Sequence, residues 1–184
     1  RVFIQNPVLF RIGLLVMMTT LATGALEAGI PLFLEDNLGL NAAWIGAVLL
    51  VMVVAQGIGG WMWGALVDKN GPVRYMTIGW YVVTVAMLAA GYVAHSISDT
   101  TLAAYCIIVI LGIFQFAISA AQVPMLPMVD TATSQVYGKG GAGLAFGAFG
   151  TAWAAGTIVG PMVIGPVYDY TNSWGITLGI LAIP

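Results

Sequence analysis

Long apolar segments separated by short polar connections make up almost the whole chain. Each of the first five segments can cross the roughly 30 Å hydrocarbon core of a bilayer, which takes about 20 helical residues. The predicted helices cover residues 10–34, 42–67, 75–95, 101–129 and 144–168, and a sixth begins near residue 174. Apolar residues occupy all faces of these segments without alternation, so a lipid-spanning barrel is a poor alternative. The pattern predicts an all-α, polytopic transmembrane helix bundle.

Composition makes residence in the lipid bilayer the expected state. Of 184 residues, 60% are hydrophobic and 7% are charged, whereas a soluble domain carries about 25% charged residues. So few charges cannot cover a soluble surface, and no basic patch exists for nucleic acid. The single cysteine, Cys106, excludes an internal disulfide framework. One histidine and scattered acids give neither a metal site nor a nucleophile beside a base, so we predict no enzyme and no cofactor.

Positive charges fall on alternate connections between the predicted helices. Arg1 precedes the first helix and Arg11 lies at its start, Lys69 and Arg74 follow the second, and Lys139 follows the fourth. The other three connections contain no lysine or arginine. Because positive residues of short loops are retained in the cytoplasm, this pattern predicts six helices and a cytoplasmic N-terminal end. The identity of the membrane stays open between the plasma membrane and a vesicular or vacuolar membrane.

The connection after the second helix carries a compact motif, Gly64-Ala-Leu-Val-Asp68-Lys69-Asn-Gly71-Pro-Val-Arg74. Gly71 and the proline after it permit a sharp turn, and Asp68 can cap a helix end. Lys69 and Arg74 anchor the turn at the cytoplasmic face, which an ordinary short loop would also do. The segment resembles the G-x-L-x-D-[RK]-x-G loop of the major facilitator superfamily, which recurs once in each half of those twelve-helix transporters. The resemblance implies a gating role for this loop.

A second resemblance lies in the fifth predicted helix, in the segment GTIVGPMVIGP. Gly156, Gly160 and Gly165 allow close approach of a second helix, and Pro161 bends the helix that carries it. The segment is similar to the G-x-x-x-G-P-x-x-G sequence associated with antiporters in the same superfamily. Close helix packing alone is the alternative explanation.

Three longer segments indicate which part of a transporter the chain represents. NPVLFRIGLL, LEAGIPLFL and VYGKGGAGLAFGAFGTAWAAGTIVGP resemble the C-terminal half of the branch with vesicular amine transporters and drug:proton antiporters. The resemblance implies that residues 1–184 form one six-helix bundle, helices seven to twelve, with the sixth helix truncated.

That resemblance also implies a function and partners. The expected function is proton-coupled antiport or export of a small organic compound by alternating access, with an N-terminal six-helix half as partner within the bilayer. A non-transporting scaffold subunit and a channel-like pore remain the alternatives. Where the branch carries further membrane acids this chain has Ser119 and Gly150, so the substrate class stays open.

Glu27 is the only ionisable residue well inside a predicted span. It lies 16 residues after Arg11 and 8 before Glu35, hence about 24 Å and 12 Å along a helix. A carboxylate at that depth costs several kcal/mol unless it is paired, hydrated or protonated. Pro31 lacks the N–H that the Glu27 carbonyl would accept, which predicts a kink. The resembling branch has this glutamate at its transport cavity, so Glu27 is a candidate proton or cation site; a purely structural carboxylate is the alternative.

The fourth predicted helix carries a neutral polar stripe. Gln115, Ser119 and Gln122 are spaced four and three residues apart and therefore share one helix face. Pro124 and Pro127 follow and break the helical hydrogen bonding. Amide side chains on a broken helix suit a cavity that orients a substrate. Hydrogen bonding between helices explains the stripe equally well.

Two further expectations concern the ends of the predicted helices. The connection over residues 130–143 is the longest and most polar, and its glycines predict a hinge or a flexible linker. Trp44, Trp80, Tyr92 and Trp174 lie near predicted helix ends, where aromatic side chains anchor a protein at the membrane interface.

Overall fold

The computed structural model describes residues 7–97 and 99–181, and every regular element in that part of the chain is a helix. The elements are α1 (Pro7–Leu38), α2 (Ala42–Asn70), α3 (Pro72–Ser96), α4 (Thr100–Gln122), α5 (Met125–Tyr137), a 3-10 turn (Gly138–Gly141), α6 (Ala142–Thr171) and α7 (Trp174–Leu181). Five stretches of these described residues are long and apolar enough to cross a membrane, α4 and α5 together forming one of them. The all-α prediction is confirmed.

The fourth span differs from its prediction in two ways. It consists of two helices, because α4 ends at Gln122 and α5 begins at Met125. The helix predicted to end near residue 129 continues through Asp130 to Tyr137, so the prediction of a flexible linker over residues 130–143 is wrong. Burial explains the difference. Val129 and Met125 of α5 pack in one apolar cluster with α1, and this tertiary contact outweighs the polar composition of the segment.

The bundle is organised by pairs of adjacent helices. α1 packs most extensively against α6, α3 against α4, and α2 against α4, while α7 packs on α3. One buried cluster joins the second half of α1 to α2, α3, α4, α6 and α7. A second, smaller cluster joins the first half of α1 to α5 and the start of α6. The helices that carry the candidate residues therefore share a continuous apolar interior.

At Gly156 and Gly160, the backbone of α6 lies directly against α1. A Cβ atom on Gly160 would lie 2.5 Å from the backbone nitrogen of Ala25 and from the backbone oxygen of Leu21. A Cβ on Gly156 would overlap Thr20 and the backbone of α1 in the same way. We call this contact the glycine seam. Gly165 does not belong to it, since nothing lies within 4 Å of where its Cβ would be.

The prolines in these two helices do not end them. Pro31 lies inside α1, and Pro161 lies inside α6 one residue after Gly160. Pro161 is exposed and Pro31 is half-buried. Both helices therefore continue past the positions where their hydrogen bonding is interrupted.

Trp174 is buried in the bundle, so its prediction as an interfacial anchor is wrong. Its side chain is 3% exposed and its ring stacks on Tyr168, with centroids 4.2 Å apart. Phe33 of α1 meets the same ring edge-on at 6.0 Å. Trp44 and Tyr92 are exposed near helix ends, as the anchor interpretation requires. Trp174 therefore fixes the start of α7 against α1 and α6.

Candidate functional site

Glu27 lies in the middle of α1 and has no partner among the described side chains. It is 11 residues before the end of α1 at Leu38, about 16 Å along the helix. Its side chain is exposed, and no hydrogen bond or ion pair reaches it within residues 7–97 and 99–181. Arg11, Lys69 and Arg74 lie near the ends of their helices. A carboxylate without a partner among the described residues therefore lies inside a helix that is long and apolar enough to cross a membrane.

Leu26 and Phe114, which precede Glu27 and Gln115 in the sequence, belong to one buried cluster and line one cavity of about 470 Å³. Glu27 is exposed, whereas Gln115 is buried.

Gln115 is a buried amide whose oxygen has no hydrogen-bond donor. Its side chain is 3% exposed, and its Oε1 atom is buried without a partner in the structure. Leaving a buried acceptor unpaired costs about 1–3 kcal/mol. A ligand that donates a hydrogen bond to Gln115 Oε1 would explain why this buried oxygen has no partner in the protein.

The other two members of the polar stripe are bonded to α2. Ser119 Oγ donates to the backbone oxygen of Gln56 at 2.9 Å, and to that of Gln115 at 3.1 Å. Gln56 Nε2 donates to Gln122 Oε1 at 3.4 Å. Two residues of the stripe, Ser119 and Gln122, therefore join α4 to α2. The third, Gln115, has an unpaired side-chain oxygen.

The crossing of α2 and α4 is close. A Cβ on Gly59 would lie 2.8 Å from the backbone oxygen of Phe116 and 3.0 Å from Ser119 Oγ. Trp63 Nε1 donates to the same Phe116 oxygen at 2.9 Å. Gln56 completes this set of contacts, and the sequence analysis missed it. The sequence does indicate a special role for Gln56, because it is an isolated amide within the apolar run VMVVAQGIGG.

Three threonines on α1 form a second polar feature that the sequence analysis missed. Thr19, Thr20 and Thr23 are buried, and their hydroxyls donate to backbone oxygens of the preceding turn. Thr23 Oγ1 lies 3.1 Å from the oxygens of both Thr19 and Thr20. Because each hydroxyl proton is used within the helix, the lone pairs of these oxygens remain available as acceptors. Thr23 is four residues before Glu27 and shares its face of α1.

The Asp68 motif lies at the α2–α3 turn. Gly71 has φ 84° and ψ 161°, a conformation that favours glycine, and its N–H donates to Val67 O at 2.9 Å. Lys69 lies in the last turn of α2, where a cation suits the helix dipole. Gly71 is also the N-cap of α3, and no side chain bonds there, so Asp68 does not cap α3. Gly64, at the start of the motif, faces the bundle and is half-buried.

Asp68 itself opens onto a cavity at the end of the bundle that holds the α2–α3 turn. The carboxylate is exposed, and the cavity of about 490 Å³ beside it extends to Thr131 and Gln135 of α5. Arg74, on the first turns of α3, is exposed as well. The motif therefore faces the helix that continues from the broken α4.

Comparison with known proteins identifies the family. The sequence profile of the Major Facilitator Superfamily matches residues 1–161. The uncharacterized MFS-type transporter YfiU of Bacillus subtilis (strain 168) is 42% identical over 62 residues, which cover 30% of this chain and 12% of YfiU. No solved structure matches the chain significantly. Because the profile spans most of the sequence, the chain belongs to the Major Facilitator Superfamily.

Proposed function

We propose that the chain forms helices seven to twelve of a secondary transporter that exports or exchanges a small organic compound against protons by alternating access. The observation that carries the proposal is Glu27, a carboxylate without a partner among the described residues, inside a helix that is long and apolar enough to cross a membrane. Such residues mark proton and substrate pathways. Membership of the superfamily and the Asp68 motif support the same function.

The test is uptake into proteoliposomes that contain the complete transporter. A panel of radiolabelled or fluorescent organic cations and neutral compounds is offered with an imposed pH gradient, and then with the gradient dissipated by a protonophore. Accumulation above the equilibrium level that disappears with the protonophore supports proton-coupled transport. A pore would equilibrate its solute without accumulation, and a scaffold subunit would transport none of the panel.

The surface of the bundle supports a second six-helix half as partner. α2 and α6 are the least buried of the membrane-length helices. Trp61 of α2 is 78% exposed, and Met162 of α6 is 70% exposed. An apolar surface of this kind can be covered by lipid or by a second helix bundle. We propose that the N-terminal half packs against α2 and α6.

The proposed orientation has the α2–α3 turn and the 3-10 turn in the cytoplasm. Single cysteines are introduced in a background with Cys106 replaced, and intact cells are treated with a membrane-impermeant thiol reagent. Cysteines at Asn70 and Lys139 should be shielded, whereas those at Asp36 and Asn172 should react, because lysines and arginines cluster on the former connections. Permeabilised cells provide the control, since all four positions should then react. Labelling of positions 70 and 139 from opposite sides would contradict the helix count.

The Asp68 motif should control the rate of the transport cycle. We expect Asp68→Ala to slow turnover about tenfold and to change substrate affinity less than about twofold, because the carboxylate lies far from Glu27 and faces α5. Both quantities can be measured on one purified preparation. Asp130→Ala is the matched control, since Asp130 is an exposed carboxylate on α5 outside the motif. Lost affinity with normal turnover would contradict the gating role.

A further inference from the structure

We propose that Gln56 and Gln122 form a subsite for the transported compound, which binds an uncharged group that both donates and accepts a hydrogen bond, such as a carboxamide. The inference deepens the proposed function and rests on it in one respect, because it states what the transported compound carries. It involves neither Glu27 nor Gln115, and it assigns a ligand-binding role to Gln56 of α2.

The two amides meet near the middle of α2. Gln56 lies 14 residues from each end of that helix, about 21 Å along its axis. Its Nε2 atom donates to Gln122 Oε1 of α4 at 3.4 Å, which places both amides at one depth. Ser119 Oγ of α4 donates to the backbone oxygen of Gln56 at 2.9 Å and ties the two helices together at the same point. Packed helices therefore position the pair, and no loop takes part.

A single hydrogen bond leaves one donor and one acceptor of the pair free. Gln122 Nε2 and Gln56 Oε1 have no hydrogen-bond partner among the residues that the structure describes. Both side chains are half-buried, and both free atoms are accessible from the surface of the bundle. Because lipid tails offer these atoms no hydrogen bond, a polar group has to reach them from outside the described helices.

A carboxamide complements the free edge of the pair. Its oxygen would accept from Gln122 Nε2, and its N–H would donate to Gln56 Oε1. A site that offers both a donor and an acceptor rejects a compound that lacks either, because the protein atoms are then left unpaired. The pair therefore selects for a chemical group rather than for size.

Charge does not contribute to this subsite. α4 contains no charged residue, and the charged residue of α2 nearest to Gln56 is Asp68, 12 residues later and about 18 Å along the helix. An ion bound at the pair would have no counter-charge on either helix, which makes its transfer from water unfavourable. The ligand group is therefore uncharged.

Space for the ligand is present beside Gln56. Gly60 lies four residues after Gln56 and therefore shares its face of α2. Apart from the helix itself, no described atom lies within 4 Å of the position that a Cβ on Gly60 would take. The surface next to the amides is thus uncovered, and a ligand group can lie against α2 there.

Thermal unfolding of the complete, purified transporter tests the subsite with three probes of similar shape. Benzamide carries the donor and the acceptor, acetophenone lacks the N–H, and benzoate carries a charge. We expect a saturable rise of the unfolding midpoint with benzamide. The half-saturating concentration of acetophenone should be about tenfold higher, the effect of one lost hydrogen bond. Sodium benzoate should raise the midpoint no more than sodium chloride does.

Variants assign the response to the two amides. Gln56→Met and Gln122→Met should each raise the half-saturating concentration of benzamide about tenfold. For acetophenone, which has no N–H to donate, Gln56→Met should have no further effect, whereas Gln122→Met should still raise the value about tenfold. Gln135→Met is the matched control, since Gln135 is an exposed amide 13 residues after Gln122, and it should leave both responses unchanged.

The unfolding midpoint without ligand separates binding from structure. Gln56→Met should change it little, because the one hydrogen bond within the pair is long at 3.4 Å. A lower midpoint together with an unchanged response to benzamide would show that the amides only hold two helices together, and would overturn the subsite.

Filling the space at Gly60 gives an independent test. Gly60→Leu should raise the half-saturating concentration of benzamide at least about tenfold without lowering the midpoint of the ligand-free protein, because its side chain enters uncovered space. A lowered midpoint would mean that another part of the transporter occupies this space, and the subsite would then be wrong.

The remaining outcomes each decide something. The subsite is overturned if benzamide gives no saturable rise, or if acetophenone or benzoate binds as well as benzamide does. If benzamide binds and both glutamine variants weaken it, but no compound follows a pH gradient in proteoliposomes, the proposed function fails and the subsite stands. If gradient-driven uptake is observed while both variants bind benzamide like wild type, the subsite alone is lost.

Discussion

Replacing Glu27 by glutamine is expected to abolish uptake driven by a pH gradient, to the level of protein-free liposomes. Glutamine keeps the size and much of the hydrogen bonding of glutamate, but it cannot take up or release a proton. Since Glu27 is the one acidic side chain well inside a span, no nearby carboxylate can replace it. The measurement is accumulation of a transported compound in proteoliposomes with an imposed pH gradient.

Glu35→Gln is the control for this experiment. Glu35 lies on the same helix, is exposed near its end, and undergoes the same chemical change. Uptake by this variant should stay within about twofold of wild type, as expected for a substitution away from the site. Size-exclusion profiles of both variants establish that they are folded. Gradient-driven uptake by Glu27→Gln at the wild-type rate would remove Glu27 from the mechanism.

Substituting alanine for Gly160 is expected to cost about 3 kcal/mol of stability or more, the upper range for overpacking. The added Cβ would lie 2.5 Å from two backbone atoms of α1, and backbone cannot rotate away as a side chain does. The two helices would have to separate along the glycine seam. Unfolding of the purified protein in detergent by heat or denaturant measures this loss.

Gly165→Ala makes the same substitution five residues later on the same helix. Apart from its chain neighbours, no described atom lies within 4 Å of its Cβ position. Gly160 and Gly165 both precede a proline, so the crowding between an added Cβ and the proline ring is common to the two variants. Gly165→Ala should therefore be clearly more stable than Gly160→Ala. Equal stability of the two variants would mean that α1 and α6 are further apart than the structure has them.

The helices could be predicted because each apolar run is long enough to span a bilayer and ends at polar or glycine residues. The end of the fourth span could not, because the segment from Asp130 to Tyr137 is polar in composition. It becomes helical through the burial of residues such as Val129 and Thr133. The position of Trp174 was also mispredicted. Its place near a predicted helix end favours the membrane–water interface, whereas in the structure its ring is buried and stacks on Tyr168.

For the candidate site, sequence indicated the residues but not their pairing. Glu27 and Gln115 stand out as polar side chains in apolar helices. Whether an amide is bonded or unpaired depends on the rotation of each helix about its axis, and spacing along one helix does not fix that rotation. Ser119 and Gln122 share a face with Gln115 and form hydrogen bonds with Gln56 of α2. Of these three side chains, Gln115 is the one with an unpaired oxygen.

The glycine seam has a consequence for motion. At Gly160, where backbone lies against backbone, no side-chain rotamer can rearrange, so α1 and α6 have few alternative ways to fit together there. We expect the pair to move as one stiff body that carries Glu27 with it. The helical hydrogen bonding is interrupted instead between α4 and α5, at Pro124. Glu27 would then keep a fixed position on the α1–α6 pair, and bending would be confined to the break between α4 and α5.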